Sequence, residues 1–236
     1  MAMAVLIGAL MAVPGVFAGP AQAQRLTDRL EERAYRVRGL TARTLVGYMR
    51  AYPFPGDYGA AMANIRPRYD LRVETQSHGA ECRVRRVDLD IHFVMTLPEA
   101  VQEDALGRTA RRHWQRFSRF ARAHELYHRQ IYLGCARRFL RAARRMREAG
   151  CRALERAVRQ ALSASEEACE AQHLAFDRRE APRLQRLSLF RAARAEGGPI
   201  APPQGFGFSA ALALGGGGGG GGVRAAGGGR FFAGGN

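Results

Sequence analysis

The hydrophobic periodicity of the chain changes at Pro98, and this change constrains the fold more than any other feature. Before Pro98, apolar and polar residues alternate over 69–73 and 87–95, which is typical of half-buried strands. After it, apolar residues recur at three- and four-residue steps over 114–146 and 151–176, which indicates two helices with an inward face. We therefore expect an α+β fold, in which a small antiparallel sheet packs on a long helical hairpin.

Short-range signals predict where these elements begin and end. Ser77-His78-Gly79 suits the turn of a strand hairpin, and the change of parity after Val84 predicts a bulge near Arg85-Arg86. Pro98 is expected to end the second strand, and Gly150 to separate the two helices.

The segment ahead of the hairpin also carries local signals. Tyr35-Arg36-Val37 predicts a short strand. Thr41 is a suitable N-cap for a helix that runs to about Tyr52, where Pro53 follows.

The first long helix carries His124-Glu125-Leu126-Tyr127-His128, an H-E-x-x-H motif. Histidines four residues apart project from one side of a helix, about 6 Å apart along its axis, so both can bind one Zn²⁺ ion. Glu125 stands where it can accept a proton from water activated by that ion. The alternative is a pair of ordinary histidines at the core edge beside a solvated glutamate.

The charge of the chain is +16, and it comes from arginine alone, since the sequence contains no lysine. Most of this positive charge lies in residues 107–160, on the two predicted helices, the first of which carries the motif. We interpret it chiefly as a solvated arginine face that also attracts acidic substrates. A basic binder of nucleic acid or anionic envelope polymers is the alternative, but no nucleic-acid partner is expected because no readout module is recognisable.

The two ends of the chain differ from its middle. Residues 1–23 lack charged side chains and end in an A-x-A arrangement at Ala21 and Ala23, which predicts a cleaved signal peptide and no stable membrane span afterwards. An uncleaved N-terminal anchor is the alternative. Residues 198–236, rich in glycine and proline, predict a disordered tail. Residues 24–197 remain as one zincin-like α+β domain, secreted or periplasmic, and no signal for an oligomeric state is present.

Four cysteines in an exported protein predict two disulfides. In a helical hairpin that turns near residue 152, residues facing each other have numbers that sum to about 304. Cys135 then faces Cys169, which leaves Cys82 to pair with Cys151.

The same facing rule limits the third metal ligand. His128 faces residue 176 and His124 faces residue 180, so His173, Asp177 and Glu180 are all within reach. Each has an alternative as a core-edge histidine or as a salt-bridge partner of a nearby arginine.

With this motif and the segments given below, the chain resembles a known family, the bacterial predicted secreted zinc-dependent proteases catalogued as domain of unknown function 922. The resemblance covers about residues 33 to 177. The matching segments are Tyr35-Arg36-Val37-Arg38-Gly39-Leu40-Thr41, Cys82-Arg83-Val84, Leu97-Pro98, Trp114-Gln115-Arg116-Phe117, the motif at 124–128, Cys151-Arg152-Ala153-Leu154-Glu155 and Phe176-Asp177. It implies an exported metallopeptidase that binds Zn²⁺ and acts on a peptide or protein substrate, and it favours Asp177 as the third ligand.

The chain departs from the family pattern just after Phe176-Asp177. Members usually continue with Thr-x-His-Gly, whereas here the same frame gives Glu180-Ala181-Pro182-Arg183, with Pro182 at the place of the histidine. A catalytically weak or inactive relative that acts as a periplasmic or envelope binding protein is therefore the alternative function.

Overall fold

The computed structural model describes residues 23–56 and 59–197. The predicted signal peptide, apart from Ala23, and the predicted tail lie outside the described residues. In chain order the elements are β1 (Ala23–Val37), α1 (Ala42–Ala51), β2 (Phe54–Gly56), β3 (Gly59–Ala61), β4 (Asn64–His78), β5 (Glu81–Ala100), a 3-10 turn (Glu103–Ala105), α2 (Arg108–Ala143), β6 (Arg147–Glu148), α3 (Cys151–Gln185) and α4 (Ser188–Ala195).

The α+β class is confirmed, and its main sheet is built around the predicted strand hairpin. β4 and β5 pair antiparallel from Asn64 opposite Thr96 to His78 opposite Glu81. The register shifts after Glu74, which leaves Arg85 without an opposite residue on β4 and confirms the bulge. Because of the bulge, alternate side chains of β5 are buried both before and after Arg85, although the parity of the buried positions changes there.

The sheet is mixed rather than purely antiparallel, because β1 pairs parallel to β5 along its other edge, from Ala23 opposite Arg86 to Val37 opposite Ala100. The predicted strand at 35–37 is only the end of this long strand. Most side chains of β1 are exposed, and seven of its fifteen residues are charged, so it lacks the alternation that predicts a strand.

The expectation that Pro98 ends the second strand is wrong, since β5 continues to Ala100. β4 begins at Asn64, opposite Thr96. Beyond Thr96, β5 is therefore paired only with β1, along one of its two edges. A residue that has no N–H is tolerated where a strand is paired on one side.

The helical hairpin has a longer connection than the sequence predicts. α2 ends at Ala143, seven residues before Gly150, which is the N-cap of α3. The connection contains β6, whose two residues pair with Cys82 and Arg83 of β5. Thr41 caps α1 as predicted, through a capping box with Thr44.

Two hydrophobic clusters lie along the hairpin, one toward each end. The first packs α1 and α4 against the start of α2 and includes Leu45, Met49, Trp114, Phe117, Leu184, Leu189 and Phe190. The second packs β5 against the end of α2 and the start of α3 and includes Val87, Leu89, Ile91, Phe93, Leu133, Phe139, Leu154 and Val158. Residues 124–128 of α2 lie between the two clusters.

Both predicted disulfides are present. Cys82–Cys151 ties β5 to the first residue of α3, and Cys135–Cys169 joins the two long helices. Disulfides of this kind are typical of proteins in an oxidising, extracellular compartment. Among the described residues, no helix combines the length and the apolar character that a membrane crossing requires.

Part of the arginine face is bound to the sheet rather than solvated. Arg122 of α2 pairs with Glu32 of β1 at 2.5 Å, and Arg129 pairs with Asp28. These ion pairs hold the charged edge strand over the helix that carries the motif. Exposed pairs of this type contribute about 0–1 kcal/mol each, so they orient β1 more than they stabilise it.

Candidate metal centre

Four buried polar side chains lie together in a layer between the two clusters, with Glu125 also buried beside them. His124 and His128 are one helical turn apart on α2, and His173 and Asp177 have the same spacing on the antiparallel α3. Their exposed fractions are only 2–5%. Buried polar groups are costly unless they find partners, so this layer needs an explanation that packing does not supply.

The donor atoms of three of these residues form a tight triangle. Asp177 Oδ1 lies 2.9 Å from both His124 Nε2 and His128 Nε2, and the two ring nitrogens are 3.0 Å apart. Hydrogen bonds alone fit this triangle poorly. If both rings donate to Asp177, their N–H groups are forced close together.

A single cation at the centre suits the same atoms better. Bonds of about 2.0–2.1 Å at tetrahedral angles separate ligand atoms by about 3.3 Å, so the three atoms need to move apart only slightly. Asp177 Oδ2 is buried and has no hydrogen-bond partner among the described residues. The set of two imidazoles and one carboxylate is therefore a buried cluster that can hold a metal ion.

The environment also sets the charges of the cluster. Burial lowers the pKa of His124, although its hydrogen bond with Asp177 acts in the opposite sense. Burial would raise the pKa of Asp177, but the contacts with His124 and His128 outweigh it and hold the pKa below its ordinary value. The carboxyl group is therefore ionised, and the His124 ring favours its neutral form.

His173 does not join the triangle but contacts His128 from behind. Its Nδ1 lies 2.8 Å from His128 Nδ1, on the side of the ring opposite Asp177. Burial and the nearby His128 lower the pKa of His173 to about 4, so it is neutral at physiological pH. This contact allows a neutral His173 with its proton on Nε2, 3.7 Å from Cys169 Sγ, to accept a hydrogen bond from His128 Nδ1–H. In that tautomer the His128 Nε2 lone pair would face the triangle.

The remaining candidates occupy different surroundings. Glu125, the acid of the motif, is completely buried beside His124. Glu180 lies outside the triangle and pairs with Arg183 at 3.2 Å. Pro182 is exposed on α3, so a side chain at this position faces away from the layer.

A cleft of about 520 Å³ opens beside the layer and reaches it at His124. Phe120, Tyr127 and Phe176 contribute aromatic surface to its walls. The Phe176 ring lies 4.6 Å from the His124 ring and 4.1 Å from the Tyr127 ring, measured between centroids. The cleft is therefore a route from solvent toward an otherwise enclosed cluster.

Comparison with known families places the chain. The family described as bacterial protein of unknown function (DUF922) matches residues 32–183, which is more than half of the chain. The chain belongs to this family. No curated protein matches the chain. No solved structure matches it either.

Membership in DUF922 covers every element from the end of β1 to most of α3. The whole polar layer and both disulfides therefore lie inside the family domain. The family carries no assigned function, so the chemistry of the site must be argued from its own residues.

Two features of this site were not predicted from the sequence. His173 was expected to be either a ligand or a core-edge histidine, whereas the structure places it behind His128. The aromatic wall of the cleft was not predicted, although Tyr127 lies within the motif and Phe176 next to Asp177. Tyr127 precedes His128 by one residue, and Phe176 precedes Asp177 by one. This equal spacing on the two helices is the signal that places the Tyr127 and Phe176 rings side by side.

Proposed function

We propose that the chain is an exported metallopeptidase whose metal is Zn²⁺, held by His124, His128 and Asp177. The observation that carries the proposal is the buried triangle of two imidazole nitrogens and one carboxylate oxygen, 2.9–3.0 Å apart. Imidazole and carboxylate donors in a compact set suit Zn²⁺.

The number of donors favours a catalytic ion over a structural one. Structural zinc sites are closed by four protein ligands, whereas catalytic sites use three and keep one position open. The cluster offers three donors among the described residues, and His124 borders the cleft. A substrate entering by the cleft would approach the open side.

Glu125 supplies the acid–base step in this proposal. A bound Zn²⁺ supplies Lewis-acid chemistry, because it polarises a carbonyl and lowers the pKa of a coordinated water to about 7. Glu125, completely buried and adjacent to His124, would accept the proton of the attacking water and deliver it to the leaving amine. Burial shields this carboxylate from competing bulk water.

Export is part of the proposal and has its own support. The two disulfides favour an oxidising compartment, and the apolar residues 1–23 are consistent with a signal peptide. These two features together support a location in the periplasm or outside the cell.

The test compares Glu125→Gln with the wild type. The variant should retain about one bound zinc ion per chain and lose at least 100-fold of the peptide hydrolysis measured by mass spectrometry on a peptide mixture. Glu167→Gln, which changes an exposed glutamate of α3, serves as the matched control and should keep both properties. Undiminished hydrolysis in Glu125→Gln would contradict the assigned role.

A binding protein without hydrolytic activity is the second candidate. The enclosed state of the layer favours it, since none of the three donor residues is more than 5% exposed. Zinc bound at unit stoichiometry, together with no cleavage by the wild type of any peptide in the mixture, would decide for this candidate.

A further inference from the structure

The cleft beside the polar layer has an unusual charge at its walls. Four of its lining residues are arginines, Arg116 and Arg119 from α2 and Arg179 and Arg183 from α3. Only one lining residue is acidic, Glu180. Four guanidinium groups around one cavity give it a positive potential that attracts anionic partners.

Two of these arginines are held in place over aromatic rings. The Arg179 guanidinium carbon lies 5.4 Å from the centroid of Phe176, and that of Arg183 lies 5.1 Å from the centroid of Phe120. These cation–π contacts orient the guanidinium groups along the walls. Glu180 is already engaged by Arg183, so it does not neutralise the other three.

The other two arginines remain open to a ligand. Arg116 and Arg119 are exposed, and neither forms an ion pair with any residue in the described part of the chain. Elsewhere on the same helix, Arg122 and Arg129 are paired with carboxylates of β1. Arg116 and Arg119, which lack ion-pair partners among the described residues, therefore line the cleft.

We infer that the cleft is a binding site for acidic peptide segments, in which carboxylate side chains pair with Arg116 and Arg119. Guanidinium groups suit carboxylates because they offer two parallel N–H donors. The aromatic surface of Phe120, Tyr127 and Phe176 would cover the apolar part of the same segment. This inference rests on the proposed function, because it supplies the substrate class for the metal site that His124 brings to the cleft.

Binding, rather than hydrolysis, tests this inference. The probes are two fluorescent octapeptide libraries, one with glutamate at four positions and one with glutamine at the same positions. Fluorescence anisotropy is measured with the zinc-loaded Glu125→Gln variant, so no cleavage is needed. The glutamate library should bind at least 10-fold more tightly, and the difference should shrink as NaCl rises from about 50 to 500 mM.

A matched pair of double variants separates a local site from general charge. Arg116→Gln/Arg119→Gln should weaken binding of the glutamate library about 5- to 20-fold. Arg137→Gln/Arg141→Gln removes the same charge from exposed positions of α2, about 32 Å farther along the helix, and should leave binding nearly unchanged.

Four binding results would overturn the inference. Equal binding of both libraries, no binding of either, or equal loss in the two double variants would show that the cleft does not select carboxylates. A single-stranded oligonucleotide that binds more tightly than the glutamate library, with the same dependence on Arg116 and Arg119, would assign the cleft to nucleic acid. Failure of hydrolysis alone, with selective binding intact, would remove the proposed peptidase activity but not the site.

Discussion

The apolar half of the helical hairpin, next to its connection, and the polar layer in its middle bury different kinds of side chain. Near the connection, α2 and α3 bury apolar side chains such as Phe139 and Leu154, and the disulfides Cys82–Cys151 and Cys135–Cys169 cross-link this half. In the middle of the hairpin, the same helices bury two imidazoles and a carboxylate against each other. Burial of apolar side chains stabilises the fold, whereas burial of polar groups is costly unless they find partners.

The carboxylates of α3 show the contrast most clearly. Asp177 is buried, yet the two imidazoles hold its pKa below the ordinary value. Glu166, nearer the apolar half, is partly buried without such partners, and burial together with the charge of Glu167 raises its pKa to about 7. Burial alone disfavours a charge, so the ionised Asp177 depends on the groups around it.

Removal of the Cys82–Cys151 disulfide should give the largest change in stability. The bridge closes a loop of 69 residues, so a Cys82→Ser/Cys151→Ser variant should lose about 4 kcal/mol of unfolding free energy in urea titrations. Its zinc affinity should remain within a few-fold of the wild type, because neither cysteine contacts the polar layer.

The Cys135→Ser/Cys169→Ser variant provides the comparison. Cys169 contacts His173, so this variant should lose both stability and zinc affinity. Equal effects of the two variants on zinc binding would contradict the separation between the apolar half of the hairpin and the polar layer.

The role of His173 predicts the next largest effect, on zinc affinity. His173→Leu removes the acceptor for His128 Nδ1–H and should weaken zinc binding about 10- to 100-fold in competition titrations with a chelator. His173→Asn keeps an acceptor oxygen near the same position and should recover most of the affinity.

Co²⁺ substitution distinguishes positioning of His128 from a general packing defect. The visible spectrum of the Co²⁺-loaded protein reports ligand geometry, so His173→Leu should shift it and His173→Asn should restore it. Identical affinities and spectra for the two variants would argue against a hydrogen-bonding role.

Glu166 predicts the smallest effect, in the pH dependence of stability. Between pH 4.5 and about 7 the folded state keeps a proton on Glu166 that the unfolded state has lost, so stability falls as pH rises through this window. Glu166→Gln lacks this term and should gain about 1–2 kcal/mol relative to the wild type between pH 4 and pH 8, after allowance for partial exposure.

Urea denaturation of Glu166→Gln at several pH values measures this term. A pH-independent difference for Glu166→Gln would mean that the carboxyl group titrates normally in the folded protein.

Sequence patterns predicted the parts of the fold that arise from regular geometry. Helical periodicity placed His124 and His128 on the inward face. The pairing of Cys135 with Cys169 followed from the rule that facing residues of an antiparallel hairpin have a constant sum of residue numbers. The parallel pairing of β1 was not predictable, because register across 63 residues depends on the whole sheet and β1 is mostly exposed. The role of His173 was also missed, since only the relative orientation of two rings distinguishes it from a ligand.

Zinc determination on the purified chain and on Asp177→Ala tests the central claim most directly. We predict about one zinc ion per folded wild-type chain and far less in Asp177→Ala, with both disulfides formed in each. Folded wild-type protein that binds no zinc at micromolar concentrations, or undiminished binding in Asp177→Ala, would contradict the assignment of the polar layer as a metal centre.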